Sequence, residues 1–125
     1  MTNLSGREVE ERLRKAAVLR RQLDDGRPGS SLDIETEWND QDLRQAAEAL
    51  SWLRWLDRDD ASLVLCRLEG ARWKAICWRF AVSRPSAHRR WRYSIRLIAW
   101  RLNGNDAPRN VSRRRLAHQF SAAGL

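Results

Sequence analysis

Trp73 to Tyr93 reads WKAICWRFAVSRPSAHRRWRY. This stretch decides the fold. Trp73, Ile76, Cys77 and Phe80 recur at helical spacing and give a short helix over Arg72–Phe80 one inner face. Ala81-Val82-Ser83 follows as a turn. Ser83 is a good N-cap, and Pro85 sits in a first helical turn, where its missing N–H costs nothing. The next helix runs to Leu102 and stops at Asn103-Gly104. Its stripe is Ala87, Trp91, Ile95, Ile98 and Leu102, in steps of three and four. Two helices joined by a tight turn and clamped by Ile76, Phe80, Val82, Ala87 and Trp91 make a helix-turn-helix at residues 72–102. With the clamp set aside, the outward set of the second helix is Arg84, Ser86, His88, Arg89, Arg90, Arg92 and Tyr93. Arg72, Lys74 and Arg79 lie on the helix before it. In such a unit the second helix meets base edges with its N-terminal half, and the first contacts the phosphate backbone.

The charge pattern agrees. Between Gly70 and Asn105 there are nine basic residues and no acidic one. Residues 1–60 hold ten basic and fourteen acidic groups, so the chain's net charge of +8 comes from its C-terminal half. A one-sign run of arginine on a short helical unit is the footprint of a phosphate-backbone binder, and arginine also fits the guanine edge. A solvated helix face is the plainer explanation, but solvated faces normally mix both signs. Duplex DNA is therefore the expected partner. A membrane is not, because no apolar run approaches the roughly 18 residues that a span needs. Glu8, Glu10 and Glu11 stand where a signal peptide would be apolar, so the expected location is cytoplasmic.

Nothing in the sequence points to catalysis. There is no Gly-rich phosphate loop, no nucleophile elbow and no carboxylate pair in an apolar setting. Cys66 and Cys77, with only His88 and His118 beside them, lack metal-ligand spacing and read as buried free thiols. The expectation is a non-enzyme with no cofactor, no metal and no catalytic residue. The seven tryptophans read by default as core.

Working outward, Ala61–Glu69 is an apolar helix introduced by Asp57–Asp60, and Gly70 suits a left-handed position just past its end. Asn39 or Asp40 caps a helix with the stripe Leu43, Ala46, Ala47, Leu50 and Leu53, running to about Leu56. Leu32–Trp38 is ambiguous. Asp24–Ser31, with Gly26, Pro28 and Gly29, reads as a linker. Ser5–Leu23 is a helix with a thin stripe that includes Val9, Leu13 and Val18. Residues after Asn105 form a basic tail, holding either a short helix over Ser112–Phe120 or no structure. The expected organisation is all-α with four to five helices: an N-terminal helix and linker (1–31), a helical domain (32–104) and a flexible basic tail (105–125). Trp52-Leu53-Arg54-Trp55-Leu56, if α-helical, spreads its apolar groups around more than half the circumference. Trp52 or Trp55 is then expected to meet a protein partner while its neighbour packs inside.

Asp59-Asp60, the apolar run to Leu68, Glu69-Gly70, WKAI at Trp73–Ile76 and VSRPSAHRR at Val82–Arg90 together resemble the helix-turn-helix of sigma factors, the region-4 type. The resemblance covers Asp57–Leu102. The tryptophans at 73, 78, 91 and 100 depart from it. WLRWL at Trp52–Leu56 and WRLNG at Trp100–Gly104 also resemble small alphaproteobacterial phage and prophage proteins with no settled activity. The sigma-like resemblance implies a DNA-binding transcription regulator of phage or phage-derived genes that acts with RNA polymerase, as a late-gene activator or antiterminator. Three alternatives stay open: a small terminase-type packaging subunit that forms homo-oligomers, a non-DNA interaction module and an RNA binder. Packaging subunits usually place the DNA-binding unit first, whereas here it comes late in the chain.

Overall fold

The computed structural model describes residues 4–24, 39–107 and 111–125. The expected linker after Asp24 and the ambiguous stretch up to Trp38 lie outside the described residues. Among the described residues the chain is all-α. Its helices are α1 (Gly6–Asp24), α2 (Asp40–Ser51), α3 (Arg58–Leu68), α4 (Trp73–Phe80), α5 (Arg84–Leu102) and α6 (Arg113–Ala122). A single 3-10 turn, Trp52–Trp55, joins α2 to α3. Six α-helices exceed the four to five expected. The extra one is α6, which the sequence alone leaves undecided.

Local chemistry sets where the helices begin. Ser5 Oγ accepts from the Glu8 amide (3.3 Å), and Leu4 and Val9, on either side of that cap, are both buried. This is the pattern of a hydrophobic staple. Asn39 and Asp42 form a reciprocal capping box: Asn39 Oδ1 accepts from the Asp42 amide (2.9 Å), and an Asp42 carboxylate oxygen accepts from the Asn39 amide (3.2 Å). The Ser83 and Ser112 hydroxyls cap α5 and α6 by accepting from the Ser86 and Arg115 amides, both at 3.2 Å. Gly70 takes φ +94° just past α3, the conformation that ends a helix without a Cβ penalty. Ala81 takes φ 54° after α4, although it has a side chain.

The long helix α5 is central. It packs against α1, α3, α4, α6 and the 3-10 turn. Its C-terminal half buries Ser94, Ile95, Leu97, Ile98 and Ala99 on nearly every side. The main core joins these to Val9, Leu13, Ala16 and Leu19 of α1, Ala46 and Ala49 of α2, and Leu116 and Phe120 of α6. The stripe of α1 is thus a structural face rather than the thin one read from sequence, and α1 runs close against α2. Val18, Leu43 and Ala47, assigned to inner stripes, are exposed instead. A second, smaller core of Leu63, Ile76 and Ala87, with Phe80, Val82 and Trp91 at its edge, clamps α4 onto α3 and α5. Cys66 and Cys77 are free thiols at that edge, half-buried rather than buried.

The Trp52–Leu56 element departs from its expected geometry. The α2 helix ends at Ser51, and the next turn is 3-10. In a 3-10 turn, residues three apart eclipse, which sets Trp52 and Trp55 in line on one side of the turn. Trp52 is 3% exposed and belongs to the core, which removes it as a partner contact. Trp55 is half-buried, with the Arg54 and Arg101 guanidiniums each 5.3 Å from its ring centroid.

Candidate nucleic-acid interface

The first turns of the six helices divide into two sets. Those of α1, α2 and α3 carry acidic residues: Glu8, then Asp40 and Asp42, then Asp59 and Asp60. Those of α4, α5 and α6 carry none. Arg72 caps α4, Arg84 opens α5 and Arg113 opens α6. Acidic groups normally offset the positive end of a helix dipole. The C-terminal half of the chain adds cations there instead. Asp57 and Asp60 offset Arg113, but among the described residues no carboxylate pairs with Arg72 or Arg84, which leaves a field at the starts of α4 and α5 that favours an external anion.

The small core fixes how α4 and α5 present their side chains. Burial of Ile76 turns Lys74, Ala75, Trp78 and Arg79 outward on α4, and burial of Ala87 turns Arg84, Pro85, His88, Arg89 and Arg92 outward on α5. Arg72, at the N-cap of α4, is exposed beside them. Arg72, Lys74, Arg84, His88, Arg89 and Arg92 thus lie on the surface as expected. Arg79 is exposed too, with Nη1 donating to Cys66 Sγ (3.2 Å) and its guanidinium 5.7 Å from the Phe80 ring. Arg89 donates to Ser86 Oγ (3.1 Å), and Ser86 also shares a hydroxyl hydrogen bond with Ser83 (3.0 Å). Ser86 is therefore part of the α5 cap as well as of the outward set. The His88 ring lies over Trp73, with centroids 4.1 Å apart. Arg67 covers Trp73 at 4.7 Å, and Trp91 meets the same ring edge-on at 6.2 Å.

Two expected site residues are placed elsewhere. Arg90 is 24% exposed, and its Nε donates to Asp60 (3.0 Å), a carboxylate only 1% exposed. The spacing of α5 turns Arg90 toward α3, where it neutralises a buried charge. Tyr93 is half-buried under α6, its ring 5.7 Å from Phe120 and 5.2 Å from the Arg113 guanidinium. Burial raises its phenol pKa above the ordinary value, more than Arg113 lowers it. Arg113 pairs with both Asp60 (2.8 Å) and Asp57. Burial works against its charge, but Asp60 and then Asp57 more than compensate, and its pKa lies above that of an ordinary arginine.

Sequence reading passed over two features. Trp78 is 81% exposed, although its absence from the Trp73, Ile76, Cys77, Phe80 stripe was a visible signal. Asp60 lies three and four residues before the buried Leu63 and Val64, so the apolar face of α3 includes it. Among the described residues no helix is long and apolar enough to cross a membrane.

The domain family of unknown function DUF6362 matches residues 34–98. The match takes in α2, the 3-10 turn, α3, α4 and most of α5, and leaves α1 and α6 outside it. No curated protein and no solved structure matches the chain.

Proposed function

The chain belongs to the DUF6362 domain family, and from that premise we propose that it is a double-stranded DNA-binding transcription regulator that uses α4, the 81–83 turn and α5 as a helix-turn-helix. One observation carries this reading. The exposed row Arg84, His88, Arg89 and Arg92 lies on the N-terminal half of α5, Lys74 and Arg79 are exposed on α4, and the whole segment lacks a single acidic residue. That is where a recognition helix places side chains against the major groove, with the preceding helix over the phosphate backbone. The Ser83 cap and the Ile76–Ala87 packing hold the row on a rigid element, as base reading needs.

The two tasks divide between the residues. Arg84 and Arg89, in the first two turns of α5, suit bidentate contact with guanine O6 and N7. Lys74, Arg79 and Arg92 suit phosphate oxygens, which fix register and not sequence. The sigma-like pattern from Asp59 to Arg90 supports a role in transcription, of phage or phage-derived genes and alongside RNA polymerase. Selection of duplexes from a random pool by the full chain tests the reading. An enriched motif is expected, and Arg84→Ala or Arg89→Ala should cost about 1–3 kcal/mol and relax preference at one position of it. A pool that never enriches, or a motif read equally well by both variants, would refute the base-reading role.

A further inference from the structure

The arginine row does not end with the N-terminal half of α5. Arg89, Arg92 and Arg96, three and four residues apart, follow one stripe of the helix. Across from them stand Arg113 and Arg114 of α6. Between the two helices lies a groove of about 390 Å³ whose lining also includes Arg90, Tyr93 and Ala117. Among the described residues no acidic side chain lines it.

The charges in this groove are compensated unequally. Asp60 takes Arg90 and shares Arg113 with Asp57. Arg96 Nη2 donates to Ser121 Oγ (2.8 Å), a neutral partner that leaves its charge in place. Among the described residues Arg89 is held only by Ser86. Arg92 and Arg114 are exposed and have no ion-pair or hydrogen-bond partner among the described residues. Four guanidinium charges therefore face one groove with no carboxylate among the described residues to offset them, and their mutual repulsion falls when an anion enters. Tyr93 and Ala117, both half-buried, lie between the two rows.

We propose that the α5–α6 groove is a second phosphate-binding site, which takes the sugar–phosphate backbone of a DNA strand beyond the base pairs met by the N-terminal half of α5. Continuity identifies the occupant, since Arg89 and Arg92 belong both to the outward row and to the groove. From Arg89 to Arg96 the helix rises about 10 Å, enough to face more than one phosphate of a strand. Arg92 and Arg114 provide the free contacts. Asp60, by holding Arg90 and Arg113, fixes α6 against α3 and α5 and sets the width of the groove. In this arrangement α6 becomes part of the interface and not an accessory to it.

This inference rests on the duplex-binding reading, and the test separates the two. Arg114→Gln in the full chain removes an unpartnered groove charge that the helix-turn-helix reading does not use, and leaves Arg84, Arg89 and Arg92 in place. Duplex affinity is measured against salt for both proteins, with hydroxyl-radical footprints on the selected duplex and thermal melts to verify folding. The variant should lose about one phosphate contact, which makes its log–log salt slope shallower by about 0.9. It should also lose protection at one end of the footprint and keep its sequence motif. Arg114→Lys should restore most of the slope. If the wild type binds duplex and the Gln variant matches it in slope and footprint, the groove is not a backbone site and the helix-turn-helix reading stands. If the wild type does not bind duplex at all, both fall together.

Discussion

At the scale of the residue, Asp60 is the group on which most depends. It is a charge buried among apolar side chains of α3, and it survives there because Arg90 and Arg113 approach it from two other helices. Removing one member of such a set leaves the others desolvated and unpaired. Asp60→Asn should destabilise the protein by about 3 kcal/mol, at the lower end for a buried pair because both arginines keep some access to water. Urea unfolding measures this, and a loss below about 0.5 kcal/mol would mean that the three groups are not coupled. Ala81 makes the opposite case. Its φ of 54° is a left-handed conformation that costs a residue with a Cβ about 1 kcal/mol. Ala81→Gly relieves that cost but adds freedom to the unfolded chain, so a net gain of about 0.5 kcal/mol is expected on the same unfolding curves. A clear loss would show that the Ala81 methyl group contributes to packing in the turn.

The elements differ in how far they could be read. The extents of α4 and α5 followed from spacing and caps, because Ser83, Pro85 and the Ala87–Leu102 stripe are local signals that tertiary packing did not overrule. The helix expected to run to about Leu56 ends at Ser51 and is followed by a 3-10 turn, because an apolar pattern this short is compatible with both an α-turn and a 3-10 turn. Exposure of Val18 and Leu43 has a related cause: each lies beside a true inner position, and a helix face is narrower than a permissive stripe. Arg90 looked outward because sequence carries no sign of Asp60 thirty residues earlier as its partner. The docking of α6 was undecided for the same reason, since Leu116 and Phe120 are too few apolar groups to predict burial without knowing that Tyr93 and Trp100 receive Phe120.

The start of α2 offers a pH-dependent test at this scale. The Asn39 amide, opposed by burial and assisted by Lys15, holds the Asp42 carboxyl below its ordinary value of 3.8. The same carboxylate accepts from Lys15 Nζ (3.3 Å) and so ties α1 to α2. Because the folded pKa is the lower one, this contribution is fully present above the unfolded value and disappears as pH falls through the folded value. Asp42→Asn should therefore destabilise the protein at pH 7 and make progressively less difference below about pH 4. Equal destabilisation at pH 7 and pH 3 would contradict an ionic role for Asp42.

Across the whole molecule, charge and architecture divide the chain in the same place. The helices α1 to α3 offset their own dipoles with acidic first turns and supply much of the main core, whereas α4 to α6 gather arginine at their starts. The central helix α5 serves both halves: its C-terminal half is enclosed by the core, and its N-terminal half carries the cationic row. A duplex would approach the cationic side without disturbing the packing that holds it. The salt dependence of duplex binding, measured by fluorescence anisotropy with the full chain between about 50 and 200 mM salt, tests this account most directly. Three to five phosphate contacts from Lys74, Arg79, Arg92 and the α5–α6 groove predict a log–log slope of about −2.7 to −4.5, with Arg84→Ala/Arg89→Ala weakening binding at every salt concentration. A slope near zero, or a double variant that binds as tightly as the parent, would contradict it.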